Sequence, residues 1–197
     1  SAIISLIWFS SCKEHKQNVL VKFGGETQGT YYAITYFSND SLNLQTSVDS
    51  LLRRFDSTAS TYKPNSIISQ LNSNDTSARA DEMFSVIFKR AMEISDKTSG
   101  SFDITVGPLV SAWGFGLTNR LKMDQQVVDS LLPLIGYKKI KLQDGKLLKT
   151  SPSMRIDFNA IAQGYAVDVV GNFLESKGIL SYLVDIGGEV KAKGAKP

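Results

Sequence analysis

The chain has 197 residues, one large domain or a domain and a fraction at about 150 residues per domain. Its 42% hydrophobic and 21% charged residues exclude a disordered chain, a collagen-like repeat and a polytopic membrane protein. The net charge of +3 is spread along the chain, with a lysine-rich end at Lys191, Lys193 and Lys196, so no concentrated basic patch points to nucleic acid. One cysteine, Cys12, and one histidine, His15, exclude an internal disulfide, a cysteine cluster and a multi-histidine metal site, and they argue against a Ser-His-Asp or Cys-His centre.

In chain order, residues 2–9 (AIISLIWF) are almost entirely apolar and run into Ser10-Ser11-Cys12. An apolar core followed by small residues is the pattern of a signal peptide, and the Cys resembles that of a bacterial lipoprotein box. Residues 1–11 therefore read as part of a signal peptide, Cys12 as an acylated membrane anchor, and 12–27 as a tether opening on the polar run 13–17. The alternative is a buried N-terminal strand carrying a free thiol.

Residues 30–37 (TYYAITYF) predict a strand. Val48, Leu51, Leu52 and Phe55 have amphipathic-helix spacing within 41–56. The polar stretch 57–80 reads as an irregular loop. Residues 82–98 predict a second helix, with Phe84, Ile87, Phe88 and Ala91 on one face, Asp81 as N-cap and Gly100 as stop. Residues 101–120 hold Gly107, Pro108, Gly114 and Gly116 with two large aromatics, Trp113 and Phe115. A short helix is expected over 124–135, a hairpin over 138–149 around Asp144-Gly145, and a strand over 154–158. A third helix follows over 162–177, ended by Gly178, then strands 182–186 and 189–193 around Gly187-Gly188. Helices mix with antiparallel-looking strands without regular βαβ alternation, so the fold class expected is α+β with a largely antiparallel sheet.

Three segments could carry chemistry. Tyr62, in the polar loop 60–66, offers a flat face for stacking an aromatic ring; it also reads as one half-buried tyrosine in a surface loop. In 99–108, small residues allow close backbone approach and Asp103 can accept hydrogen bonds from a ligand, or Asp103 and Thr105 bond their own backbone. In 157–165, a helix start after Asp157 favours an anionic group and its carbonyls suit a hard cation, or it is an ordinary capped helix.

The ordered set GTYYAITY (29–36), STYKPNSIISQLN (60–72), SGSFDITVGPLVSAWGFG (99–116), IDFNAIAQGYAVD (156–168) and LVDIGGEVKAKG (183–194) resembles the N-terminal half to two-thirds of ApbE-type FAD:protein FMN transferases, over residues 28–197. The resemblance implies a T-fold-related domain, incomplete at its C-terminus. It implies a Mg²⁺-dependent enzyme that binds FAD, passes its FMN moiety to a threonine of an acceptor protein and releases AMP. The metal would neutralise pyrophosphate charge, with positioning supplying much of the rate. The acceptor would be a flavoprotein subunit of a respiratory or other redox complex. The enzyme would be lipid-anchored in the bacterial cell envelope, on the periplasmic side. Alternatives are an FAD pyrophosphatase and a non-catalytic FAD-binding lipoprotein.

Carried over residue by residue, the resemblance makes Gln28, Tyr62, Ser101, Phe102, Asp103, Asp157 and Gln163 contacts of FAD, and the Ala160 carbonyl a metal ligand. Gln163 stands where the family often has Lys or Glu, and Gln28 where it often has Met. No catalytic residue is assignable, and these 197 residues alone are expected to be inactive.

Overall fold

Tyr32, Ile34 and Tyr36 are buried at alternate positions of strand β2 (Thr30–Ser38), while Tyr31 and Ala33 face outward. This two-residue alternation builds one half-buried sheet. The structure, a computed structural model, describes residues 18–115 and 120–195. Cys12, the signal segment 1–11, the polar run 13–17 and Gly116 lie outside the described residues.

Strand β1 (Val19–Thr27) pairs antiparallel with β2, from Val19 opposite Ser38 to Thr27 opposite Thr30. This stretch was expected to belong to a tether. Its strand signal is Val19, Val21 and Phe23, half-buried at alternate positions and followed by Gly24-Gly25. The β1–β2 link is the two-residue turn Gln28-Gly29, with φ of 51° and 72°, the left-handed pair that matches strand twist.

Helix α1 (Gln45–Ala59) buries Val48, Leu52, Phe55 and Ala59. After it, the expected loop contains a short helix, α2 (Ile67–Asn72), whose six residues are too few to show periodicity. Helix α3 (Glu82–Lys97) begins as expected: the Asp81 carboxylate accepts from the Phe84 N–H at 2.7 Å. Its other oxygen accepts from the Thr58 hydroxyl at 2.8 Å, tying α3 to α1. The stretch after α3 holds a 3₁₀ turn, Ile104–Val106, and α4 (Gly107–Ala112). Helix α5 (Gln125–Leu131) is capped by Asp124. Strands β3 (Ile140–Gln143) and β4 (Lys146–Lys149) form the expected hairpin around Asp144-Gly145.

The strand expected at 154–158 is not one. Met154, Ile156 and Phe158 are buried at alternate positions, but the segment pairs with no strand. Helix α6 (Asn159–Ser176) starts one turn earlier than expected, and Gly178 follows it at φ 78°. Strands β5 (Tyr182–Ile186) and β6 (Glu189–Lys193) complete an antiparallel sheet of order β1-β2-β5-β6, with Tyr32 opposite Ile186.

Helix α6 packs on β5 and β6, α1 on β1 and α6, and α3 on both of those helices. The core between helices and sheet is led by Tyr36, Phe55, Phe84, Phe158 and Leu174. Leu20, Tyr31, Leu183 and Val190 stay exposed on strands of the sheet. Burial and the Asp49 carboxylate push the Tyr32 hydroxyl up to about 12. The mixed α+β architecture is the one expected. No helix among the described residues is long and apolar enough to cross a membrane.

Candidate functional site

Two strand turns, the end of α1 and the start of α6 meet at one end of the sheet. The Gly187 N–H donates to the Tyr31 carbonyl at 3.0 Å, bringing the β5–β6 turn against the start of β2. Gly187 has φ 59°, and a Cβ there would sit 2.7 Å from Thr30 Cγ2 and 3.0 Å from Gln163 Nε2. Beside this contact lies a cleft of about 790 Å³ lined by Gln28, Phe55, Asp56, Ala59, Tyr62, Lys63, Asn159 and Gln163, among others. That volume suits a small organic ligand or cofactor.

The cleft thus joins Gln28, Tyr62 and Gln163, three of the expected contact residues from stretches far apart in the chain. Tyr62 is 52% exposed, leaving part of its ring surface open for stacking. Its loop is held by Ser66, whose hydroxyl donates to the Ser60 carbonyl at 2.6 Å and accepts from the Ser69 N–H at 3.2 Å as the cap of α2. Lys63 pairs with Asp56 Oδ2 at 3.1 Å. Asp56 Oδ1 and Gln28 Nε2 are buried with no hydrogen-bond partner among the described residues. Each such group costs about 1–3 kcal/mol in a dry environment.

Ser101, Phe102 and Asp103 are not among the residues lining this cleft. Ser101 is exposed, and Phe102 is half-buried against the core. The Asp103 carboxylate is engaged internally. It accepts from the Thr105 N–H at 2.8 Å, the Thr105 hydroxyl at 2.6 Å and the Tyr137 N–H at 2.8 Å. Thr105 Oγ1 also accepts from the Gly136 N–H at 2.7 Å, so the pair anchors the turn before β3. Of the two readings of this segment, internal bonding is the one its geometry displays.

Asp157 precedes α6. Its N–H donates to the Ile104 carbonyl at 2.7 Å, and its carboxylate accepts from the Asn159 N–H at 2.6 Å. Burial raises the carboxyl above its usual range, partly opposed by the Asn159 bond. A raised folded-state value means the ionised form is penalised by folding. The penalty is present above that value and vanishes as pH falls below the unfolded one. Asp157→Asn keeps an acceptor oxygen and removes the charge. Its melting temperature should exceed the parent's at pH 7, with the gap closing below pH about 4; a pH-independent gap in thermal melts would contradict this.

Ala160 is exposed in the first turn of α6. The described residues contain no group of three His, Cys, Asp or Glu side chains that could hold an ion. Asp157, the carboxylate nearest Ala160 in sequence, is occupied with Asn159.

Two residues that support the site escaped the sequence reading. Asp56 lies on α1 with no motif to distinguish it from other helical acids. Asn72 ends α2, and its amide accepts from the Ile156 N–H at 2.8 Å and donates to the Ile156 carbonyl at 2.9 Å. It supplies the bonds that a neighbouring strand would have given to 154–158.

The ApbE family model matches residues 28–197. An FAD:protein FMN transferase of Vibrio cholerae is 34% identical over 203 aligned positions, which cover 98% of this chain and 60% of that protein. One from Haemophilus influenzae is 30% identical, covering 98% of this chain and 59% of that protein. Among solved structures, the flavin transferase ApbE from Vibrio cholerae superposes with a TM-score of 0.85 at 32% identity, covering 91% of this chain and 61% of that one. The apo flavinyl transferase ApbE of Pseudomonas stutzeri gives 0.83 at 31%, covering 92% and 63%. The chain thus spans about 60% of the length of these relatives.

Proposed function

This chain belongs to the ApbE family, and from that premise we propose that it forms the nucleotide-gripping part of an enzyme that moves FMN from FAD onto a protein. The carrying observation is the cleft that gathers Gln28, Tyr62 and Gln163. In the reaction proposed, a threonine hydroxyl of the acceptor attacks the FMN-side phosphorus of FAD. The bridging P–O bond breaks, AMP leaves with the bridging oxygen, the threonine proton passes to base or solvent, and FMN stays on the acceptor as a phosphoester.

This chain's part is to bind and orient. Tyr62 stacks on a ring of the dinucleotide, Gln28 and Gln163 bound the cleft, and Asp157 holds the first turn of α6. Mg²⁺ is the metal expected in this reading, with the Ala160 carbonyl as one ligand and the others drawn from outside the described residues. The acceptor would be a flavoprotein subunit of a redox complex.

The test is incubation of the longest encoded form of the protein with FAD, Mg²⁺ and a candidate acceptor. AMP release and a mass gain of one FMN on the acceptor threonine are expected. These 197 residues alone should give neither. AMP with free FMN at an equal rate without acceptor would replace transfer by hydrolysis, and FAD that neither binds nor turns over would end the proposal.

Acylation at Cys12, with the enzyme held at the periplasmic side of the envelope, is part of the same reading. It rests on the apolar run and small residues before that cysteine. Cys12→Ser should move the protein to the soluble fraction in a membrane flotation assay; unchanged partitioning would count against the anchor.

A further inference from the structure

Asp56 Oδ1 and Gln28 Nε2 are, among the described residues, the two buried side-chain polar atoms with no partner. They belong to elements far apart in the chain, the end of α1 and the β1–β2 turn, yet both residues line the same cleft. Elsewhere the fold satisfies its buried amides: Asn72 has both ends of its side chain bonded. One of the two atoms is an acceptor and the other a donor. Buried polar groups are normally bonded, so a paired exception in one cleft points to a partner outside the chain.

We propose that Asp56 and Gln28 read the hydrogen-bonding edge of the planar heterocycle stacked on Tyr62, Asp56 accepting from a ring or exocyclic N–H and Gln28 donating to an adjacent ring acceptor. The inference rests on the dinucleotide reading above and adds the residues that orient the ring. Lys63 holds the other carboxylate oxygen of Asp56 at 3.1 Å, which fixes the rotation of the group and leaves Oδ1 for the ligand. Gln28 sits at φ 51° in a two-residue turn and lines the cleft. A phosphate fits this pair poorly, because the carboxylate repels it. A heterocycle edge with N–H beside a lone pair fits both atoms, and both ends of a flavin–adenine dinucleotide carry one. Both atoms are closed to solvent without ligand. Binding therefore displaces side chains of the cleft wall, and Tyr62, about half exposed, has the room to move.

The test titrates the longest encoded form of the protein with FAD and two analogues, one methylated at flavin N3 and one dimethylated at adenine N6, following affinity by calorimetry. One analogue should bind about 10-fold or more weakly than FAD, the loss expected for a hydrogen bond to a charged acceptor. Weakening by the first assigns the edge to the flavin, by the second to the adenine. Asp56→Ala should bind FAD and the discriminated analogue within about twofold of each other, since the acceptor is gone. Lys63→Met removes the ion pair but keeps the carboxylate, and should keep discriminating. If Asp56 served only to hold Lys63, the two variants would behave alike. Wild-type protein that binds FAD and both analogues equally overturns the inference and leaves the transferase reading standing. Protein that binds no FAD overturns that reading itself. The wild-type comparison needs no variant, so a misfolded Asp56→Ala does not remove the test.

Discussion

Asn72→Leu is expected to lower stability by about 2–6 kcal/mol, because it strips both bonds from Ile156 while nearly preserving volume. Asn72 is 7% exposed, and its side chain bonds both backbone groups of Ile156 at 2.8 and 2.9 Å. Leucine leaves a buried N–H and a buried carbonyl with no partner, which costs more than a lost surface bond. In a chain of this length the melting temperature should fall by roughly 10 °C. The effect reaches the site, because Asp157 follows Ile156 and α6 starts two residues later. The variant should therefore also bind FAD more weakly at a temperature where it is folded. A fall under about 3 °C in a thermal melt would mean that water replaces the amide at Ile156.

Phe158→Ala should cost about 3–5 kcal/mol, the range for emptying a buried aromatic site. Phe158 is 0% exposed and meets the Phe84 ring at a centroid distance of 5.0 Å, joining the start of α6 to α3. It is also the cap residue of α6, and its carbonyl accepts from the N–H groups of Ile161 and Ala162 at 2.9 and 2.8 Å. Loss of the ring loosens the anchor just ahead of Asn159, Ala160 and Gln163, so stability and FAD affinity should fall together. Phe158→Leu fills most of the space and should lose less than about 1.5 kcal/mol. Urea denaturation of both variants checks the contrast; equal midpoints would show that the loss comes from the ring itself and not from the vacated volume.

Both expectations concern 154–158, where the sequence was misleading. Met154, Ile156 and Phe158 alternate as a half-buried strand does, and the chain there is buried on that face. Alternation reports which side faces the core. It does not report what bonds the backbone, and here an asparagine 84 residues away does so. The six residues of α2 and the Gly-interrupted β1 were lost for a related reason, since short or glycine-broken segments carry too few side chains for a period to emerge.

The candidate site divides in the same way. Gln28, Tyr62 and Gln163 were singled out through a motif resemblance, and one cleft gathers them. Ser101, Phe102 and Asp103 came with the same motifs, and the Asp103 carboxylate is spent on Thr105 and Tyr137. Asp56 drew no attention as a contact, because its sequence neighbours are those of any amphipathic helix.

By itself the sequence determined the α+β class, the main helices, the strands at 30–37, 182–186 and 189–193, and the family. Those follow from local periodicity, turn chemistry and ordered motifs, all of which act over a few residues. Only the tertiary structure decided which polar atoms are satisfied and which are left without a partner among the described residues. Hydrogen-bond pairing in a dry interior depends on groups brought together from distant parts of the chain, and no local pattern records that meeting.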